Sequence, residues 1–545
     1  MTGSTGADAV ALALRSAGCD VVFGLPGVHN LALWPACARA GVRIVGSRHE
    51  QGAAYAADGF ARVTGRPGVA FVTTGPGAAN TLGAVGEAWA VHSPIVIVAS
   101  DVATSIRRPG VYRGSLHESV DQAALFRTVT KATLDVPDAD GIGAAVAVAL
   151  ALANAAPAGP VYVGVPTDLL SGAAPAMALP PPPMDPVPAE PGPLARAARA
   201  LASARRPVLW IGGGARDASS AVDRVATRLG APVITTFQGR GVLPADHPLL
   251  VAAPPHEPEV TALLERADTS LVVGSDLDGP NTQNWKLPLP EPRVAVNIDA
   301  ADATKNYAAD VVVEADAGSA LDALAERLAP EPRPPWADVA AVEAAVRADL
   351  LREPGAAAAL AFVDRTMAAV TGDALVFADM TVPGYWLAGY APVARPRSLH
   401  YPMGWGTLGF AFPAAVGAAV AAGSGRPVVA VCGDGGFLYA PGELATVVQE
   451  HLPLTLVVVD DGGYGMLRYG HEADELPSLG TELHTPDFAA LARSFGADAV
   501  TVDGIGDDYE SALRDATTSG RPAVVHVRAR LEPPRTTSPR WPRRA

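Results

Sequence analysis

The sequence predicts an α/β protein with three doubly wound parallel-sheet domains, and three observations lead to this prediction. The chain has 545 residues, which is more than one hydrophobic core usually serves. Short apolar runs alternate with alanine-rich, helix-like runs along most of it. Two proline-rich stretches, 176–193 and 330–340, are typical of linkers. We therefore expect domains at 1–175, 194–329 and 341–530, followed by a tail at 531–545.

Composition favours a globular protein and excludes several functional classes. Hydrophobic residues make up 49% and charged residues 18%, which gives ample apolar surface to bury. A net charge of −15 without a basic domain argues against nucleic-acid binding. Cys19, Cys37 and Cys432 form neither a CxxC pair nor a metal-ligand spacing. No signal-peptide pattern opens the sequence, and the apolar run 142–153 is too short to span a bilayer, so we expect a cytoplasmic protein without membrane attachment.

The apolar runs predict the strands of each unit. In the first unit these are residues 21–23, 42–45, 69–73, 95–99 and 161–163. In the second unit a helix at 194–204 precedes strands at 208–211, 233–236, 271–273 and 293–298 and a helix that ends near residue 328. In the third unit two strands, 428–432 and 454–459, each end in a glycine-rich turn. This alternation is typical of open parallel sheets with helices on both faces.

The two glycine-rich turns of the third unit together suggest a phosphate and metal site. The glycines of the first turn, 433–436, allow backbone N–H groups to approach a phosphate. We expect the helix that includes 443–450 to point its positive N-terminal end at the same anion. Asp434 and Asp461 are 27 positions apart, the length of one strand-helix-strand unit, so their carboxylates would meet at one edge of the sheet. Oxygen ligands beside a diphosphate suit Mg²⁺.

These turns resemble the diphosphate-binding signature of the thiamine diphosphate (ThDP) enzymes related to acetolactate synthase, benzaldehyde lyase and the 2-oxo acid decarboxylases. The resemblance extends to the layout of a pyrimidine-binding domain, a middle domain and a diphosphate-binding domain. It implies that the side chains of Asp434 and Asp461 and the carbonyl of Gly463 bind Mg²⁺. Asp461 stands where the family usually has asparagine, which adds a negative charge that faces the diphosphate.

The stretch 48–54 follows a strand and opens a helix, and it resembles the region of the family's catalytic glutamate, here Glu50. It is not an HExxH zinc site, because Ala53 stands where the second histidine would be. By itself the stretch also fits a glutamate that stabilises a helix start. In the family, this carboxyl binds the aminopyrimidine ring of ThDP and favours the imino tautomer, whose nitrogen removes the thiazolium C2 proton.

The run 402–410 also resembles the family. It implies that Leu408 is the apolar wedge that folds ThDP into a V and that the carbonyl of Gly406 accepts a hydrogen bond from the 4′-amino group. Further cofactor contacts implied by the resemblance are Gly433, Asp434, Gly435, Gly436, Asp461, Gly463, Tyr464, Gly465 and Met466.

Two histidines are candidate catalytic residues. His29 lies in the turn 24–30, which resembles the family's FGxPG loop, and benzaldehyde lyase and guanidino-oxo-acid decarboxylases also have a histidine there. His117 lies where family members place a glutamine or histidine that faces the cofactor. The loop 75–80 resembles the scaffold beside the catalytic glutamate. The substrate pocket implied by the resemblance comprises Gly27, Val28, Gln122, Leu467 and Tyr469.

We do not expect bound FAD. The glycines at 212–214 resemble a turn in flavin-binding acetolactate synthases, but 252–258 lacks their Gly-Met-His-Gly run and 276–285 replaces their arginine-containing segment. An NAD-dependent oxidoreductase is excluded, because neither glycine turn gives GxGxxG with a downstream acidic residue.

The resemblance implies an enzyme that decarboxylates a 2-oxo acid through a cofactor-bound enamine, which is then protonated or added to an aldehyde or ketone. Acetolactate synthase and acyloin lyase remain alternatives, although Gly470 replaces the tryptophan of the former and Met466 the small residue of benzaldehyde lyase. A non-catalytic ThDP-binding subunit is the alternative from another class. Active sites of the family lie between subunits, which implies a homodimer or homotetramer. The arginine- and proline-rich residues 528–545 are typical of a solvated end, with a lid over the active site as the alternative.

Overall fold

The computed structural model describes residues 4–108, 110–178, 180–182 and 187–536, which form three six-stranded sheets with helices packed around them. Within the described sheets every pairing of neighbouring strands is parallel. Parallel neighbours need long crossover connections, which helices supply here. The predicted fold class, α/β with three doubly wound parallel sheets, is confirmed.

The first sheet contains the five predicted strands and one more. Its strands are β1 Val21–Gly24, β2 Arg43–Gly46, β3 Gly68–Val72, β4 Ile95–Asp101, β5 Ala132–Asp135 and β6 Val161–Pro166. The helices are α1 Gly6–Ser16, α2 Leu33–Ala40, α3 Glu50–Thr64, α4 Pro76–Ala79, α5 Leu82–Ala90, α6 Ile142–Asn154 and α7 Thr167–Ser171. The strand order is β2-β1-β3-β4-β6-β5. The unpredicted strand, β5, lies at the edge and is partly exposed, so no continuous apolar run marks it.

The middle sheet has the order β12-β11-β10-β7-β8-β9, which is the 3-2-1-4-5-6 order of an open doubly wound sheet. Its strands are β7 Pro207–Ile211, β8 Val233–Thr235, β9 Leu250–Val251, β10 Thr269–Val273, β11 Arg293–Asn297 and β12 Val311–Glu314. The helices are α8 Pro191–Ser203, α9 Ser219–Leu229, α10 Pro258–Arg266, α11 Gly279–Thr282, α12 Ala300–Thr304 and α13 Ala317–Arg327. Helix α8 begins inside the expected linker 176–193, because Pro191 is tolerated in a first helical turn.

The third sheet repeats the strand order of the first, as β14-β13-β15-β16-β18-β17. Its strands are β13 Leu375–Ala378, β14 Leu399–His400, β15 Val428–Gly433, β16 Leu454–Asp460, β17 Asp498–Asp503 and β18 Ala523–Arg528. The helices are α14 Val339–Leu350, α15 Ala356–Ala369, α16 Val382–Tyr390, α17 Ala411–Ala422, α18 Asp434–Phe437, α19 Glu443–Gln449, α20 Gly465–Ala473, α21 Phe488–Phe495 and α22 Asp507–Thr518. Across the described residues, no helix is long and apolar enough to cross a membrane.

The first and third domains share one hydrophobic core, and helices α3 and α17 pack backbone to backbone within it. A Cβ atom on Gly59 would lie 1.9 Å from the carbonyl oxygen of Ala414, and one on Gly417 would lie 1.7 Å from that of Ala56. Neither site has room for a methyl group, and a backbone carbonyl cannot rotate away as a side chain can. The two glycines therefore set the distance between the helices.

The start of the C-terminal tail is packed against the protein, which corrects the expectation of a solvated end. Arg535 is 3% exposed and forms ion pairs with Glu257, Glu259 and Asp349. The indole nitrogen of Trp386 donates to the carbonyl of Glu532 at 2.8 Å. Charge pairing allows this arginine to be buried, which composition alone does not reveal. Residues 537–545 lie outside the described part of the chain.

We predict that Gly59→Ala lowers the free energy of unfolding by about 1–3 kcal/mol, because the added methyl group forces α3 away from α17. Helix propensity alone would give the opposite sign, a gain of about 1 kcal/mol. Gly470→Ala in α20 is the matched control, since a Cβ there meets nothing within 4 Å. Urea unfolding of both variants measures the difference, and stabilisation by Gly59→Ala would contradict the close contact.

Candidate active site

A cavity of about 490 Å³ lies where β13, β15 and β16 end, at the carboxyl edge of the third sheet. This edge is where open parallel sheets bind ligands. The cavity brings together most of the cofactor contacts implied by the resemblance: Gly406, Leu408, Gly433, Asp434, Gly435, Gly436, Gly463, Tyr464, Gly465 and Met466. Leu467, from the implied substrate pocket, also lines it.

The two glycine-rich turns lie side by side, as expected, because β15 and β16 are neighbours with Gly433 opposite Val459. The helix that follows the first turn differs from the expectation. The turn leads into the short α18, while α19 begins only at Glu443, after Pro441 and Gly442 interrupt the helix. No residue of α19 lines the cavity, so the expected position of this helix start at the cavity was wrong.

A second helix start at this site was missed in the sequence. Thr381 immediately precedes α16 and lines the cavity together with Val382. The local signal was present, because threonine followed by proline two residues later is typical of a helix start. The start of a helix carries backbone N–H groups without partners in the helix, and such groups can bind an anion.

The three residues implied as metal ligands line a small cavity of about 20 Å³ beside the large one: Asp434, Asp461 and Gly463. This volume holds one water-sized particle. Oδ2 of Asp434 is buried and has no hydrogen-bond partner in the described part of the chain. Burial, and then the neighbouring carboxylates of Asp461 and Asp460, raise the pKa of Asp434 to about 7.

This donor set fits a hard cation such as Mg²⁺, which takes oxygen ligands and would relieve the repulsion between the carboxylates. Among the residues that the structure describes, no group of three or more His, Cys, Asp or Glu side chains could hold a metal ion. The implied site does not need such a group, because the third ligand that the resemblance implies is the carbonyl oxygen of Gly463.

Buried carboxylates hold both ends of the loop that carries Gly406 and Leu408. Glu87 of the first domain accepts from the N–H groups of Gly404 and Trp405 at 3.1 and 2.8 Å. Asp379 accepts from the N–H groups of Gly409 and Phe410 at 2.9 and 3.3 Å.

Gly406 and Gly409 have φ angles of 67° and 77°, a conformation that glycine adopts at no steric cost. Burial raises the pKa of Asp379 to about 6. Neither Asp379 nor Glu87 was identified from the sequence, because both act through contacts made after folding.

Glu50 is the first residue of α3 and is 9% exposed. Its Oε2 accepts from the side-chain amide of Asn80 at 3.0 Å, so the loop 75–80 does lie beside it. The backbone before Glu50 is held by Glu443 of the third domain, whose Oε1 accepts from the N–H groups of Arg48 and His49 at 2.9 and 3.2 Å. The contact between the domains thereby fixes the helix start that carries Glu50.

His29 and His117 lie together in the first domain, with ring centroids 5.3 Å apart and an edge-to-face arrangement. Nδ1 of each ring is buried and has no hydrogen-bond partner among the described residues. Burial, followed by the nearby His117, lowers the pKa of His29, which favours the neutral ring at pH 7. A neutral imidazole can both donate and accept a proton.

The structure of one chain does not bring these first-domain residues into the large cavity, whose lining includes none of Glu50, His29, His117, Gly27, Val28 and Gln122. Val28 is 89% exposed. Gln122 is buried, donates to Ser100 and Tyr162 and accepts from Gly75, so its side chain is occupied inside the first domain. Tyr469 also lies outside the cavity lining.

Sequence reasoning missed further residues of the cavity wall: Phe237, His256, Pro280, Met380, Tyr385 and Tyr401. Met403 and Trp405 also line the cavity and belong to the run 402–410. Pro534 and Thr536 belong to the tail, for which a lid over the active site was the alternative. Phe237, His256 and Pro280 come from the middle domain, and Pro534 and Thr536 from the tail. No local pattern marks such residues, because distant packing alone brings them here. Nε2 of His256 lies 2.9 Å from the carbonyl oxygen of Thr536, and burial lowers the pKa of this histidine to about 4.

Comparisons with known proteins agree with this geometry. Three models of thiamine pyrophosphate enzymes, ThDP being the same cofactor, match the chain: the N-terminal TPP binding domain at residues 4–125, the central domain at 194–324 and the C-terminal TPP binding domain at 379–527. A protein of Pseudomonas aeruginosa named "Probable 2-ketoarginine decarboxylase AruI" is 37% identical over 507 residues, which cover 90% of this chain and 88% of the relative.

Two further comparisons cover nearly the same extent. An acetolactate synthase of Mycobacterium bovis is 32% identical over 90% of this chain and 82% of its own length. The solved structure of a ThDP-dependent 4-hydroxybenzoylformate decarboxylase of Rhodococcus jostii superimposes with a TM-score of 0.83, at 25% identity, and covers 97% of this chain and all of that one. The implied family is thereby confirmed, and the chain belongs to the thiamine pyrophosphate (ThDP) enzymes.

Proposed function

We propose that this protein is a ThDP- and Mg²⁺-dependent decarboxylase of 2-oxo acids. The observation that carries the proposal is the meeting of the two glycine-rich turns with Gly406 and Leu408 in one cavity, next to an ion-sized cavity that Asp434, Asp461 and Gly463 line. Bound ThDP would supply the electron sink that decarboxylation of a 2-oxo acid requires.

Each part of the site has a role in this proposal. The N–H groups of 433–436 and of the α16 start bind the diphosphate, and Asp434, Asp461 and Gly463 hold the cation. Leu408 and the Gly406 carbonyl orient the cofactor. Glu50 holds the proton of the pyrimidine ring, and His29 and His117 transfer protons at the substrate oxygen.

Because Glu50, His29 and His117 lie outside the cavity of their own chain, we propose that the first domain of a second copy completes each site. A homodimer, alone or doubled to a tetramer, is the smallest assembly that achieves this. Several large apolar side chains of the first domain are exposed and fit such an interface, including Val28 at 89%, Leu31 at 57% and Leu116 at 75%.

A 2-oxo acid with a guanidino group is the donor that we expect first. The relative named for 2-ketoarginine decarboxylation shares 37% of its residues over 90% of this chain. Among the described residues that line the cavity, none is lysine or arginine, while Phe237, Tyr385, Tyr401 and Trp405 supply aromatic rings. Aromatic faces attract cations, and a site without basic residues does not repel a guanidinium.

We predict that Glu50→Gln lowers the rate of CO₂ release about 10²- to 10⁴-fold, the range typical of a lost general acid-base group. The assay measures CO₂ from pyruvate, branched, aromatic and guanidino 2-oxo acids with ThDP and Mg²⁺. Glu326→Gln, on the exposed face of α13, is the control and should keep full activity. Full activity of Glu50→Gln would remove Glu50 from the mechanism. Aldehyde and acyloin analysis separates decarboxylation from ligation.

We predict that chelation of divalent cations releases ThDP and that added Mg²⁺ restores its binding, because a cation held by Asp434 would compensate the charge of the diphosphate. Asp434→Asn should weaken Mg²⁺-dependent ThDP binding by at least about 10-fold. Asp508→Asn, exposed on α22, is the control. Quenching of tryptophan fluorescence measures binding, since Trp405 lines the cavity. ThDP binding that survives chelation would contradict the proposed metal dependence.

A further inference from the structure

Asp461 and Arg468 form an ion pair at the edge of the metal site. Nη2 of Arg468 lies 2.7 Å from Oδ1 of Asp461 and also donates to the backbone carbonyl of Asp461 at 2.9 Å. The side chains are only 7% and 14% exposed, so water screens the pair weakly. Arg468 lies in the first turn of α20, and this helix carries the guanidinium back over the turn that precedes it.

The ion pair with an arginine distinguishes Asp461 from the other two carboxylates at this edge of the sheet, Asp434 and Asp460. Asp460 lies 3.0 Å from Nε2 of His526. Oδ2 of Asp434 is buried and has no hydrogen-bond partner among the described residues, so this oxygen is available to a cation. The second acidic partner of Arg468, Glu482, is 67% exposed and interacts through the other terminal nitrogen, so water screens that pair more strongly than the pair with Asp461.

The charge of Asp461 matters because the family usually has a neutral asparagine at this position. An uncompensated carboxylate at this largely buried position would repel a diphosphate bound nearby. A carboxylate paired with an arginine carries no net charge, as an asparagine does, yet it has a second oxygen, Oδ2, for the cation. The pair can thus match the charge of asparagine and the donor chemistry of aspartate.

We infer that Arg468 is the positioning residue whose charge allows Asp461 to serve as the cation ligand without repelling ThDP. This inference rests on the proposed function, because it concerns binding of Mg²⁺ and ThDP. Arg468 acts through Asp461 and lines neither of the two cavities.

The test is a double-mutant cycle of Asp461→Asn and Arg468→Met in the full-length protein. ThDP binding at saturating Mg²⁺ is followed by tryptophan fluorescence without substrate. Asp461→Asn should keep the ThDP dissociation constant within about 3-fold of the original, and Arg468→Met should raise it about 10-fold or more. In the double variant the constant should return to within about 3-fold of that of Asp461→Asn, because the carboxylate that needs Arg468 is gone.

Two control variants test whether the positive charge of Arg468 is responsible for the effect on ThDP binding. Arg468→Lys keeps the positive charge and should bind ThDP better than Arg468→Met, whereas Glu482→Gln removes only the exposed partner and should change little. If the single variant Arg468→Met does not fold, the double variant with Asp461→Asn still tests the coupling. A double variant that folds and binds ThDP would support it. Failure of both variants to fold would show that Arg468 is structural and overturn the inference.

Three further outcomes would overturn the inference. An equal loss of binding from Arg468→Met in both backgrounds would mean that Arg468 acts independently of Asp461, which overturns the inference. Loss of ThDP binding in the single variant Asp461→Asn would show that asparagine cannot replace the paired aspartate, which also overturns the inference. If the unmodified protein binds no ThDP with Mg²⁺, the proposed function fails and this inference fails with it.

Discussion

The geometry of the candidate site depends on the contact between α3 and α17, where backbone meets backbone. Gly59 faces the carbonyl of Ala414 and Gly417 faces that of Ala56, so the two helices are in direct backbone contact and no larger residue fits between them at these positions. Helix α3 begins at Glu50, and α17 begins directly after the loop that carries Gly406 and Leu408. One rigid contact therefore fixes both the proposed catalytic carboxyl and the cofactor loop.

Two buried carboxylates form hydrogen bonds across the boundary between the first and third domains, and these bonds hold the same two segments in place. Glu87 binds the N–H groups before Gly406, and Glu443 binds those before Glu50. A buried charge needs compensation. Glu87 obtains it from Arg62, which also pairs with Asp58, whereas Glu443 obtains it from N–H groups at a helix start and from Thr446. A carboxylate that accepts hydrogen bonds from backbone N–H groups thus holds each segment in place, the one before Gly406 and the one before Glu50.

The sequence allowed prediction of those parts of the site whose chemistry is local. Asp434, Asp461 and the glycines around them follow apolar strands within a few residues, and neighbouring parallel strands bring their ends together. Other features depend on packing between distant segments, and no local sequence pattern predicts them. They are Glu87, Asp379 and the middle-domain residues of the cavity wall. The strand order shared by the first and third sheets was not predicted either. The helix at 443–450 was assigned the wrong role because its interruption at Pro441 was overlooked.

The C-terminal tail shows why composition misleads when charges are paired. Arginine and proline usually indicate a solvated end, yet Arg535 is 3% exposed among three carboxylates, and Glu257 in that group also accepts from the hydroxyl of Tyr390. This ion-paired anchor lies beside Pro534 and Thr536, which line the large cavity next to His256. The cavity wall therefore depends on an electrostatic contact between the tail, α10 and α14. Three segments far apart in sequence meet there because the arginine of the tail pairs with carboxylates from both helix regions.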